Sequence, residues 1–153
     1  MSIRRRSARL RSLNSSQWCV VFASLTLVPA VQLSLRLRGF KRTAVPLERH
    51  SRRPAVPAGP ESARPIAEAV TVVAGRRLVG APCLARSLVV WFLLRRRGID
   101  AVLVIGAADP GDGVLPAHAW VEVDGEPVND DAGVRVRYGS FGVYLPRLQR
   151  AAE

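Results

Sequence analysis

The chain has 153 residues, 48% of them hydrophobic, enough for one domain with a real core and short of two. Its scarce Cys and His (Cys19, Cys83, His50, His118) exclude a disulfide framework and a four-ligand zinc site, and the cysteine usage suits a reducing compartment. The net charge of +11 is uneven: residues 1–97 hold 19 Arg/Lys against 3 Asp/Glu, and residues 98–153 hold 4 against 9.

A basic half of this kind can attract nucleic acid, anionic lipid or acidic peptide. Yet 22 of the 23 basic residues are Arg, so a compositional bias explains the charge equally well, and no nucleic-acid motif accompanies it. Residues 1–17, with Arg4, Arg5, Arg6, Arg9 and Arg11, read as a flexible basic start. Trp18 to Leu37 is mostly apolar and resembles a secretory signal or anchor. Pro29, Gln32, Ser34 and Arg36 interrupt it and leave eleven clean residues, Cys19 to Pro29, against the roughly 20 that a bilayer needs. The expectation is a buried or amphipathic helix, bent or divided at Pro29.

Lys41 to Pro65 contains Pro46, Pro54, Pro57, Pro60 and Pro65 without a hydrophobic period. It reads as a linker or extended arm with polyproline II character, and His50 within it as a solvated loop residue. Three regions follow: 1–40, a basic start and apolar helix; 41–65, the linker; 66–153, the core domain. From Ile66, the residues Ile66, Val70, Val73 and Arg77 or Leu78 share a helical face, Arg76 and Arg77 close the last turn and Gly80 ends it. The short connection to the next helix predicts that the two pack as neighbours.

The next helix lies within the stretch Ala81 to Gly98, with Pro82 at its first position and Gly98 just past its end, each where its backbone is suited. Leu84, Leu88, Trp91 or Phe92, and Arg95 step by three and four and form one apolar stripe, while Arg95, Arg96 and Arg97 sit at the negative pole of the dipole. Cys83 lies at the other pole, where unpaired first-turn N–H groups favour thiolate. The ordinary alternative for a free cysteine is a small buried apolar residue.

Asp100 to Gly106 is a continuous apolar run, a strand buried on both faces. Ala107 to Pro116 reads as a loop. Ala117-His118-Ala119-Trp120-Val121-Glu122-Val123, Asp124-Gly125 and Glu126 to Asp131 read as a hairpin around a DG turn. With a three-residue loop His118 opposes Asp130; with a two-residue loop it opposes Asp131. Val134 to Tyr138 alternates and can add another strand, and no period assigns the segment from Gly139. Trp91 and Trp120 are candidates to wall a groove, although aromatics on such elements are more often core.

Cys83 at a helix start, His118 on the first hairpin strand and Asp130 or Asp131 on the second fit one chemistry. A thiol nucleophile needs a base for its proton, and that imidazole needs a partner on its other nitrogen. Taken singly, a core or edge histidine and a solvated strand-end aspartate are the commoner fates.

The Cys at the head of an apolar helix, the Arg-rich helix end followed by Gly and VLVIG, and HAWVEVDGEPVND together resemble the papain-like, transglutaminase-like fold. More closely, they resemble the lasso-peptide leader peptidases related to microcin-processing proteins. The resemblance covers about Ile66 to Asp131 and is vague before that. It implies an α+β fold with N-terminal helices packed on a small antiparallel sheet, and a triad of Cys83, His118 and Asp130. It further implies a cytoplasmic cysteine endopeptidase that removes the leader from a ribosomal precursor peptide and needs no cofactor or metal. The chain's length fits the split form, whose partners are a separate small leader-recognition protein and an asparagine-synthetase-like cyclase, with no nucleic acid. Transglutaminases and acyltransferases share the geometry and remain the alternative chemistry; a non-enzymatic basic membrane-surface protein is the alternative class.

Overall fold

The computed structural model describes residues 15–75, 82–108 and 117–145. Sequence expectations for Arg76 to Gly80, for the loop around Asp109 to Pro116 and for the first 14 residues lie outside the described residues. Helices α1 (Ser15–Ser51), α2 (Pro60–Ala74) and α3 (Cys83–Arg95) are followed by β1 (Ala101–Ala107), β2 (Ala117–Val123), β3 (Glu126–Pro127), the single turn α4 (Val134–Arg137) and β4 (Gly139–Leu145). The strands form one antiparallel sheet in the order β3-β2-β1-β4. This is the α+β architecture expected, with helices on a small sheet.

Alternation along the strands sorts their side chains between two faces. Ala101, Leu103, Val121 and Val123 join the main core with α1, α2 and α3, while Val102, Val104 and Trp120 form a second cluster with Val134 and Tyr138. The sheet is therefore covered on both faces. β1 lies between β2 and β4, which explains its unbroken apolar run.

Several local expectations are corrected. Residues 41–51 and 60–65, expected within a linker, are helical; only 52–59 connects α1 to α2, and His50 is an exposed helical residue with Nδ1 2.8 Å from Pro46 O. α1 is unbroken at Pro29 and broken at Gly39, where φ 76° and ψ 177° leave the helical region. Proline in a helix removes one hydrogen bond and crowds one carbonyl, whereas only glycine reaches this backbone state without steric cost. α2 begins at Pro60, its first helical residue, and runs to Ala74, with Gly75 at its C-cap.

In α3, Pro82 is the residue before the first helical position, which Cys83 occupies. The helix has no single apolar stripe: Ala85, Leu88, Val89, Val90, Trp91, Leu93 and Leu94 are all buried, because α1, α2 and the sheet surround it. Trp91 and Trp120 are fully buried, so neither walls a groove, and the Trp91 indole donates to Ala101 O at 3.1 Å. At the C-terminal end Gly98 takes φ 76°, and Ile99 N–H caps Leu94 O at 3.1 Å. Val56 N–H then bonds Gly98 O at 2.8 Å, tying the 52–59 connection to this corner.

The segment Val134 to Tyr138 is a helical turn rather than a strand. Asp131 Oδ1 accepts from Gly133 N–H at 2.9 Å, and Val134 N–H bonds Asp131 O at 3.1 Å, a local closure that competes with extended pairing. Val134 is buried and Val136 is exposed. The strand added to β1 is instead β4, the segment with no sequence period.

Gly106 is the tightest point in the sheet. A Cβ there would meet Gly139 O at 2.7 Å and Trp120 Cη2 at 2.9 Å. Gly106→Ala is expected to cost about 1–3 kcal/mol from overpacking, seen as a drop of several degrees in the thermal unfolding midpoint, with the denaturant m-value unchanged.

Candidate active site

The DG loop has two residues: Val123 pairs with Glu126 and Glu122 with Pro127, with Asp124 at φ 49° and Gly125 at φ 81°. Positive φ at both positions is the type I′ turn that suits the strand twist. Continued by simple alternation, this register would set His118 opposite Asp131. The pairing does not continue. After Pro127 only the Val128 N–H bond to Val121 O at 2.9 Å persists, and the chain then leaves the sheet.

At that point Asn129 takes over the work of a strand. Its Oδ1 accepts from Val121 N–H at 2.8 Å, and its Nδ2 donates to Ser87 Oγ at 2.9 Å. The Ser87 hydroxyl donates in turn to Ala119 O at 2.8 Å. Two side chains thereby satisfy the free edge of β2, where β3 has ended. Ser87 lies one helical turn after Cys83, Ala119 follows His118, and Asn129 precedes Asp130. The same short chain of hydrogen bonds therefore links the three segments that carry the sequence-predicted residues.

His118 Nε2–H donates to Asp130 Oδ2 at 2.6 Å, and both side chains are mostly buried. The departure from simple register thus selects Asp130. Asp131 forms an exposed pair with Arg137, at 2.9 Å and 2.6 Å, which holds its carboxyl below the ordinary value of 3.8. Arg86 Nη2 lies 3.7 Å and Arg137 Nη2 3.8 Å from the two oxygens of Asp130, so two guanidinium groups flank the carboxylate that orients the imidazole. The Tyr138 ring stacks on His118 with centroids 4.8 Å apart, and the Trp120 ring centroid is 6.2 Å from that of His118.

Cys83 is half-buried at the first position of α3. The first bond of that helix runs from Arg86 N–H to Pro82 O at 3.2 Å, and Pro82 at the cap position contributes no side-chain bond to its N-terminus. The N–H groups of Cys83, Leu84 and Ala85 precede the first intrahelical donor, the positions at which a helix start carries unpaired donors and partial positive charge.

A sequence profile of the transglutaminase-like superfamily matches residues 27–142. The chain belongs to the transglutaminase-like superfamily. Its fold is the cysteine protease and transglutaminase type, and the match spans α2, α3 and the whole sheet up to Gly142. No curated protein and no solved structure matches the chain. Within this transglutaminase-like domain, sequence reasoning missed Ser87, Asn129, Arg86 and Tyr138. Ser87 carried a weak signal, a hydroxyl next to the apolar run Leu88 to Leu94 that the structure shows fully buried, whereas the stacking of Tyr138 depends on the turn at α4 and had none.

Asn129→Ala is expected to leave Val121 N–H without its partner and cost about 1–3 kcal/mol; amide hydrogen exchange at Val121 should accelerate well beyond that of Leu103 in β1. The Asp131 pair gives a pH prediction. Its carboxyl is depressed in the fold, so its contribution is complete above the ordinary value of 3.8 and is lost as pH falls through the lowered value. NMR of the Gly133 amide should show the local turn loosening only at that acid limit, and Asp131→Asn should remove the transition.

Proposed function

We propose that this transglutaminase-like protein is a cysteine endopeptidase that removes the leader from a ribosomal lasso-peptide precursor, with Cys83 as nucleophile, His118 as base and Asp130 as the group that orients the imidazole. The observation that carries the reading is the His118 Nε2–Asp130 Oδ2 bond of 2.6 Å. With Nε2 committed to the carboxylate, Nδ1 is the nitrogen left to exchange a proton with a thiol. That division of the two ring nitrogens is what a cysteine–histidine mechanism requires.

In this reading the Cys83 thiolate attacks the carbonyl carbon at the leader–core junction. The tetrahedral oxyanion is met by N–H groups of the first turn of α3, donors of a kind worth about 3 kcal/mol each to the transition state. His118 then protonates the departing amine of the core peptide. Water, deprotonated by the neutral imidazole, hydrolyses the thioester and frees the leader carboxylate. The residues supply nucleophile, base and oxyanion donors among themselves, and the proposed reaction uses no cofactor or metal. The partners proposed are a small leader-recognition protein that presents the precursor and an asparagine-synthetase-like cyclase that consumes the freed amine, all in the cytoplasm.

The transglutaminase-like fold equally supports acyl transfer, in which an amine replaces water at the thioester. Mass spectrometry of a precursor peptide incubated with the chain and a recognition protein separates the two. Wild type is expected to release an intact leader fragment, Cys83→Ala and His118→Ala to release none, and Asp130→Ala to be slowed on the order of 10⁴-fold. Persistent cleavage by Cys83→Ala overturns the catalytic assignment, and an amine adduct in place of hydrolysis moves the chemistry to acyl transfer.

A further inference from the structure

The first arm of α1 has two apolar faces, and among the described residues only one of them is packed against the rest of the protein. Val20, Val21, Val28 and Val31 are buried in the main core, with Ser24 bonding back to Val20 O at 2.6 Å. On the opposite side Trp18, Phe22, Leu25, Pro29 and Leu33 recur at intervals of four, three, four and four, which places them on one line along the helix. Phe22 is 62% and Leu33 58% exposed, and Trp18 rests against Phe22 with ring centroids 5.9 Å apart. From Trp18 to Leu33 the line runs about 22 Å at 1.5 Å per residue. No charged residue interrupts it.

Charge identifies what covers this face. Residues 1–47 contain nine Arg/Lys and not one Asp or Glu. Of the nine, Arg36 and Arg38 are exposed at the end of this arm, and Lys41 and Arg42 are exposed just past the break at Gly39. A second copy of the chain docked face to face would bring two such acid-free segments together, and like charges oppose that pairing. A narrow apolar line with an aromatic end and flanking cations is instead the composition of a helix that lies in the interface of an anionic bilayer.

By length and composition the helix from Trp18 is also able to cross a membrane. Its inner face, however, is part of the core with α2 and α3. A spanning helix would have to leave that core, whereas an interfacial one keeps it. We propose that the outer face of the first arm of α1 docks the folded protein on anionic phospholipid membranes, with Trp18, Phe22, Leu25 and Leu33 entering the headgroup boundary and the adjoining cations pairing with lipid phosphates. This attachment is independent of the chemistry at Cys83.

The test is flotation of the full chain with phosphatidylcholine vesicles, with and without phosphatidylglycerol, across a salt series. Of the three tryptophans only Trp18 is exposed, since Trp91 and Trp120 are fully buried, so quenching by brominated lipid reports on this face. Wild type is expected to float with the anionic vesicles alone, to lose binding as salt rises, and to be quenched at Trp18. Phe22→Glu with Leu33→Glu, both on exposed positions, should lower vesicle affinity at least tenfold with an unchanged circular dichroism spectrum and unfolding midpoint. Equal binding by the double variant overturns the proposal in favour of attraction by the basic residues alone. Absence of wild-type flotation also overturns it; if light scattering then shows a dimer that the double variant abolishes, the face belongs to a second copy. A complex with a recognition protein that the double variant dissolves, again without vesicle binding, assigns the face to that protein.

Discussion

The edge of β2 is where this structure holds or fails. A strand that ends a sheet exposes backbone donors and acceptors that must find partners, and β3 is too short to supply them beyond Val121. Ser87 and Asn129 supply them instead, one from a helix and one from a loop. Because a side chain rather than a strand completes the edge, the backbone after Pro127 is free to turn, and the turn brings Asp130 onto His118. A longer β3 would satisfy the same groups and set Asp131 at that position instead.

The opposite face of the sheet depends on a buried carboxylate. Glu122 is mostly buried, yet it accepts from the Trp120 indole at 2.7 Å and from Arg135 Nε at 2.7 Å. An unpaired charge at that depth would be costly; here the guanidinium answers it and at the same time pins α4 over Trp120. The placement of Tyr138 against His118 follows from that anchor, since α4 ends at Arg137 and Tyr138 is the next residue. The imidazole is thus held through a carboxylate at one nitrogen and by an aromatic ring against its plane. Both constraints limit its rotation.

Helix α3 couples these surfaces to the main core. It is buried on most sides, and its two ends are treated differently. At the C-terminal end Arg95 is buried over the Trp91 ring at 5.0 Å, with burial lowering its pKa, and Arg97 reaches the Leu93 carbonyl at 3.3 Å. At the N-terminal end proline precedes Cys83 and leaves the first turn without a side-chain cap. A helix end without a cap is less stable than a capped one, and its backbone donors are available to other partners. Stabilising contacts are concentrated at the C-terminal end, and the uncapped N-terminal end carries Cys83.

Much of this was written in the local sequence. Gly98 ends α3 because a left-handed position is needed there, the DG pair makes a two-residue turn because both positions take positive φ, and the apolar run of β1 reflects a strand with neighbours on both sides and cover on both faces. Cys83, His118 and an aspartate stood out as candidates from residue type and order, and the structure joins His118 to Asp130. What periodicity misread was decided by partners distant in the chain. The Pro-rich stretch is largely helical because Ala44, Ala63 and their neighbours are buried in the common core; VRVRY is a turn because Asp131 closes it and Glu122 anchors it. The choice of Asp130 over Asp131 rests on Ser87, 42 residues before Asn129 in the chain. Sequence alternation describes a strand for as long as the strand pairs, and only the tertiary structure decides where the pairing stops.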